Sequence, residues 1–229
     1  MKINEIYQGD SLETLKTFES ESVDCVITSP PYWGLRDYGT AEWRGGDENC
    51  DHIGDGKSNN NRNFIEDGGR LGNNPAIVGG SSCKLCGATK KDGQIGLEKT
   101  PEEYVAKLVE LFREMKRVLK KEGTLWLNLG DSYASNGKSG GDIDKDKEMD
   151  IERGRGRLND HPTIKPKDLI GIPWRVVFAL QADGWYLRQD IIWAKPNPMP
   201  ESVTDRCTKS HEYVFLFSKS PKYYFDNEA

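Results

Sequence analysis

The stretch Val23-Asp-Cys-Val-Ile-Thr-Ser-Pro-Pro-Tyr-Trp33 runs an apolar segment straight into two prolines and two aromatics. Residues 23–28 are apolar at nearly every position, the pattern of a parallel strand covered on both faces, and Cys25 among them reads as a core residue. Proline has no backbone N–H and a fixed φ, so Pro30 and Pro31 cannot continue the ladder and the strand stops at Ser29. In open α/β sheets ligands bind beyond the carboxyl ends of the strands. The corner is therefore either a rigid turn or the wall of a site.

Working outward, residues 3–8 (INEIYQ) read as a short strand ended by Gly9-Asp10, with Ser11 as N-cap of a helix that presents Leu12, Leu15 and Phe18 on one face. Downstream, Thr100-Pro101-Glu102-Glu103 places Thr at an N-cap, Pro at the first helical position and a carboxylate three residues after the cap. Tyr104, Leu108, Leu111, Phe112, Met115 and Leu119 then recur at helical spacing, and Gly123 is the predicted stop. TLWLNLGDSY (124–133) is the third predicted strand, again finishing in Gly-Asp. A helix over 173–182, ending near Gly184, precedes two strands, WYLRQDIIWAKP and HEYVFLFSKSPKYYFD. This order predicts an α/β fold with a mostly parallel sheet and an antiparallel strand pair at one edge. The three strand tips, Gly9-Asp10, Ser29-Pro-Pro and Gly130-Asp131, are expected along one edge of that sheet.

At such an edge the corner has definite chemistry. The proline rings fix the carbonyls of Ser29 and Pro30 as acceptors, and the Ser29 hydroxyl adds another. A group with two N–H donors, such as an exocyclic amine, fits between them. Tyr32 offers a flat face, and stacking of a base on an aromatic ring is worth roughly 1–3 kcal/mol. The pocket suits an aminated heterocycle.

With these residues in place, the chain resembles the amino-group DNA methyltransferases, of the type with the Ser-Pro-Pro-Tyr motif near the N-terminus. TSPPYW carries the resemblance, supported in order by TLWLNLGDSY and GWYLRQDIIWAKPNPMPESVTDR. It implies a Rossmann-like methyltransferase sheet and transfer of a methyl group from S-adenosylmethionine to cytosine N4 or adenine N6 of a base flipped out of double-stranded DNA. Ser29, Pro30, Pro31 and Tyr32 become the catalytic corner. Ser at the first motif position favours cytosine N4, and adenine N6 is the alternative. Gly9 and Asp10 resemble the loop beside the cofactor adenine, although an Asx turn before the helix explains Asp10 equally well. Family members of this type carry a glycine-rich cofactor loop, Asp-Pro-Phe-x-Gly-Ser-Gly, near the C-terminus, and none precedes Ala229. The expected unit, 1–229, is thus an incomplete sheet holding the target-base half, completed by a second chain or a missing C-terminal half. A catalytically incomplete DNA-binding fragment is the alternative, and a methyltransferase acting on RNA or another aminated ring a third.

The long loops add three expectations. In the polar insertion, 40–98, Cys50-Asp-His52 and Cys83-Lys-Leu-Cys86-Gly have the spacing of a tetrahedral zinc site, against reduced surface thiols as the alternative. A structural zinc would contribute on the order of 10 kcal/mol to a segment with few apolar groups of its own. A second loop, 134–165, is expected to be mobile and sets Arg153, Arg155 and Arg157 among glycines, either as a phosphate-contacting arm or as a solvated charge run. Lys195 and Asn197, after the penultimate strand, are candidate DNA contacts.

Composition sets the remaining limits. The 229 residues suit one domain with an insertion, and 35% apolar content with 24 glycines fits long loops. A formal charge of −5 does not advertise nucleic-acid binding, which then needs a local basic cleft. Five cysteines, an odd number, argue against a disulfide framework and for a reducing compartment. With no membrane-length apolar run and no signal-like start, a cytoplasmic location is expected.

Overall fold

The computed structural model describes residues 4–34, 38–50, 52, 82–83, 85–134 and 161–228. Two helices, α2 (Pro101–Val118) and α3 (Ile172–Ala182), lie on one face of a four-stranded sheet built from β1 (Val23–Thr28), β4 (Leu119–Leu129), β5 (Tyr186–Ala194) and β6 (His211–Ser218). A short helix, α1 (Ser11–Lys16), precedes β1, and a separate ribbon pairs β2 (Glu42–Arg44) with β3 (Thr89–Lys91). The α/β class and the antiparallel β5–β6 pair are as the sequence predicts. The strand order is β1-β4-β6-β5, and parallel pairing is confined to β1–β4, so the sheet is mixed rather than mostly parallel.

The reason lies at both edges. Residues 5–8 form no strand, and Ile6 is 97% exposed. Tyr7 packs its ring edge-on against Phe18, 5.0 Å away, so this segment is tied to α1 rather than to a sheet partner. At the other side β6, not β5, sits against β4, because Phe215 and Phe217 share the face of Leu125 and Leu127.

α2 is amphipathic as predicted: Tyr104, Leu108, Leu111, Phe112 and Met115 are buried against the sheet. Thr100 accepts from the Glu103 N–H at 3.2 Å, and Glu103 reaches back to the Lys99 N–H at 3.0 Å, one residue beyond the expected capping box. The helix does not run to Gly123. Leu119 turns extended at ψ 135° and β4 starts there without a loop. Gly123 instead lies at an irregularity where the β1–β4 register slips between Val23 and Cys25. A Cβ there would stand 2.6 Å from the Leu119 side chain and 2.8 Å from the Asp24 carbonyl, so only glycine fits the bulge.

Leu125, Leu127 and Leu129 of β4 are fully buried beneath α2 and α3, with a Trp174, Tyr213 and Phe215 cluster at centroid distances of 5.2–5.6 Å. Among the described residues no helix covers the other face. Cys25 and Ile27 point there and are exposed, Ile27 by 81%, so Cys25 is not a core residue and β1 is not covered on both faces.

Candidate active site

The parallel β1–β4 pair brings Ser29-Pro-Pro-Tyr32 beside Gly130-Asp131 at one sheet edge. β5 runs in the same sense as β4, since both are antiparallel to β6, and delivers Lys195 to that edge. Gly9-Asp10 is the exception to the expected row of tips, because no strand precedes it. Gly9 has φ 153°, and Asp10, not Ser11, is the N-cap of α1, accepting from the Glu13 N–H at 3.0 Å. The far end of α1 is anchored where β4 begins, through the Arg117 guanidinium on the carbonyls of Leu15 and Phe18.

At the corner the Ser29 side chain is exposed, Pro30 is buried and Tyr32 is half-buried. A residue the sequence reading passed over, Asn128, organises them. Its Nδ2 donates to the Tyr213 carbonyl at 3.0 Å, which turns Oδ1 toward the corner. Oδ1 then accepts from Tyr32 Oη at 2.7 Å and from Ser29 Oγ at 3.3 Å. Burial pushes the Tyr32 phenol above its usual value, so it keeps its proton and stays the donor. With the Ser29 proton directed inward, the oxygen's lone pairs are left facing the exposed side as acceptors.

The backbone of the corner is held independently. Tyr104 Oη donates to the Pro31 carbonyl at 2.9 Å, and its deep burial raises its phenol well above the usual range. Gly34 N–H donates to the Gly96 carbonyl at 2.8 Å, and Trp33 Nε1 to the Glu98 carbonyl at 3.0 Å. Under the Tyr32 ring lies Gly130, where a Cβ would come within 2.5 Å of the ring. Asp131 turns away from the corner and caps α3, accepting from the N–H groups of Gly171 at 3.0 Å and Ile172 at 3.1 Å.

Lys195 forms an ion pair with Glu212, and both charges act on the Tyr32 phenol. Asn197 is exposed in the loop beyond. Arg153, Arg155 and Arg157 lie outside the described residues. Two concavities of the described surface lie away from the corner, one between α2 and α3 at Val105, Val109 and Ala179, the other beside β4 at Trp126 and Tyr224.

The polar insertion brings its four expected ligands together. The ligand atoms of Cys50, His52, Cys83 and Cys86 all lie within 4.8 Å of one another. Burial pushes the Cys83 thiol up, but the N–H groups of Cys86 and Leu85 and the His52 ring outweigh it and hold it down at about 6. No described helix is long and apolar enough to cross a membrane.

A family model for DNA methylases matches residues 23–229. The chain is 44% identical over 227 residues to the Type II methyltransferase M.SmaI of Serratia marcescens and 42% identical over 224 residues to M.Cfr9I of Citrobacter freundii. In each case 98% of this chain is matched, and it spans 59% and 57% of the two relatives. Among solved structures it is similar to the PvuII DNA methyltransferase (cytosine-N4-specific), at 17% identity and a TM-score of 0.48, over 95% of this chain and 49% of that one. With a family match running from the first residue of β1 to the end of the chain, this protein belongs to the DNA methylases of the N6/N4 amino-methyltransferase family.

Proposed function

We propose that this chain is the target-base half of a DNA methyltransferase that methylates an exocyclic amino group, cytosine N4 in preference to adenine N6. The observation that carries the reading is the Ser29–Asn128–Tyr32 arrangement, which makes the exposed Ser29 oxygen an acceptor beside the aromatic ring. A flipped base stacks on Tyr32 while Ser29 Oγ and the Pro30 carbonyl accept from its amino group. As the nitrogen lone pair leaves conjugation with the ring, these acceptors favour the more tetrahedral, positively charged nitrogen. S-adenosylmethionine supplies the methyl group as an electrophile, and the chain's part is to hold the nitrogen in line with it. Ser in place of a carboxylate at the first motif position supports cytosine.

On the cofactor side, Asp10 is an acceptor suited to the adenine amino group, in addition to its capping role. No glycine-rich loop following a strand is present among the described residues, so the methionine end of the cofactor is assigned to a second chain or to the rest of a longer protein. Double-stranded DNA is the proposed partner, with Lys195, Asn197, Arg153, Arg155 and Arg157 as its contacts.

The test is nucleoside mass spectrometry after incubating the chain, alone and within the longer protein, with unmethylated DNA and labelled S-adenosylmethionine. N4-methylcytosine is the expected product, and N6-methyladenine would move the reading to the alternative base. Ser29→Ala and Tyr32→Ala are expected to abolish transfer while circular dichroism shows the fold intact. Full activity in both variants would remove the corner from the mechanism.

A further inference from the structure

We propose that Cys50, His52, Cys83 and Cys86 bind one structural zinc ion, and that this ion is the clasp that holds the base-facing corner in place. Two of the separations match a tetrahedral ion, and all four ligand atoms converge within 4.8 Å. Zn–S bonds of about 2.3 Å and Zn–N of about 2.0–2.1 Å set ligand atoms about 3.5–3.8 Å apart. Cys50 Sγ and Cys83 Sγ are 3.7 Å apart, and Cys86 Sγ is 3.4 Å from His52 Nδ1. A disulfide needs sulfurs at about 2.05 Å, so the pair at 3.7 Å is not one. Three thiols and an imidazole form a soft donor set, which selects zinc over calcium or magnesium.

The surroundings are those of a built site. The His52 N–H points at Cys50 Sγ at 3.4 Å, and the N–H groups of Ala88 and Asp47 point at Cys86. Such N–H···S contacts orient ligand sulfurs and spread their charge. The His52 ring stacks on Trp43 of β2 at 5.1 Å and 27°. Gly46, at φ 76°, leaves room for the Cys86 sulfur, which a Cβ would approach to 2.7 Å. Gly87, at φ 72°, closes the knuckle with its N–H on the Cys83 carbonyl at 2.9 Å.

The link to the corner runs through β3. Cys83 and Cys86 lead into β3, and the chain leaving it supplies Asp92, Gln94, Gly96 and Glu98. Asp92 accepts from Thr40 Oγ1 at 2.8 Å and Gln94 from the Tyr38 N–H at 2.7 Å. Gly96 and Glu98 then take the Gly34 N–H and the Trp33 indole. With only three residues in each strand of the ribbon, the β2–β3 pairing is too short to hold this register alone. The ion fixes the ribbon, and the ribbon fixes the backbone on either side of Tyr32.

The test uses the whole chain and needs no methyl transfer, so it stands or falls apart from the proposed activity. Elemental analysis after dialysis is expected to find one zinc per chain, and cobalt(II) is expected to give the d–d bands of a tetrahedral thiolate site. Cys86→Ser and His52→Ala should each lower zinc retention by at least about tenfold; where a variant does not fold, the cobalt titration of the unaltered chain reads the same site. Stripping zinc with a chelator should raise hydrogen exchange at 31–34 and 94–98 while β4 and β6 stay protected. A folded chain that holds no zinc and gives no cobalt bands would overturn the site. Stoichiometric zinc whose removal leaves exchange at 31–34 unchanged would overturn the clasp.

Discussion

Asn128 occupies the position in β4 between two fully buried leucines, and its amide is committed at both ends, to the Tyr213 carbonyl and to the two hydroxyls. Under the proposed function it is a positioning residue. Asn128→Ala should leave the chain folded but lower the proposed methyl transfer by about 10²-fold, the scale of a misplaced reacting group. Asn128→Asp keeps an acceptor oxygen toward Tyr32 and should recover part of that loss, an outcome a purely structural role does not produce. Gly130→Ala tests the floor of the same site. Its Cβ has no room under the Tyr32 ring, so urea denaturation should show a loss of about 1–3 kcal/mol. The Ser-Pro-Pro-Tyr corner is legible in sequence because proline geometry is local. Asn128 is not, because a polar residue alternating with leucines reads as a solvent-facing strand position until Tyr213 and Tyr32 are brought beside it.

α2 carries the clearest helical signal in the chain, and its first turn does two jobs. Thr100→Ala removes the cap and should cost about 1 kcal/mol in thermal or urea unfolding. The neighbouring Glu102 pairs with Arg175 and with His161 Nε2, while His161 Nδ1 accepts from Thr163 and Ile164, which leaves Nε2 as the donor. Burial pushes Glu102 up, but His161 and Arg175 outweigh it and hold its carboxyl below the ordinary 4.5. A depressed carboxyl contributes stability above its unfolded pKa that is lost as pH falls through the folded one. Glu102→Gln should therefore lower stability slightly at pH 7, by a solvent-screened amount, and the difference from the unaltered chain should shrink as pH falls below 4.5 and vanish below the depressed folded value. The body of α2 was legible from its spacing, whereas its end was not: Gly123 carries the signature of a helix stop but serves a bulge whose need for glycine comes from Asp24, distant in sequence. The strand expected at 3–8 failed for the converse reason, since an extended pattern becomes a strand only with a partner edge.

At the scale of the molecule the sheet is two-faced. Leu127→Ala, beneath α2 and α3, should cost about 2–5 kcal/mol. Ile27→Thr, on the same sheet but the uncovered face, should change unfolding by no more than about 0.5 kcal/mol. Equal losses at the two positions would mean that the uncovered face is packed in solution. Fold class was legible because α/β alternation is written in local periodicity. Strand order was not, since placing β6 between β4 and β5 depends on matching Phe215 and Phe217 to leucines about ninety residues away.

Between Gly34 and Gly96 the chain leaves the sheet and returns to nearly the same point, its two ends joined by the Gly34–Gly96, Tyr38–Gln94 and Thr40–Asp92 contacts. Past the Cys50–His52 and Cys83–Cys86 pairs, which hold the ribbon, the length of the connecting chain does not reach the corner. Doubling such a connection costs only about 0.6 kcal/mol in closure entropy. The excursion is thus a docking slot in the evolutionary sense, where new surface can be inserted, lengthened or exchanged while the chemistry beside it keeps its geometry.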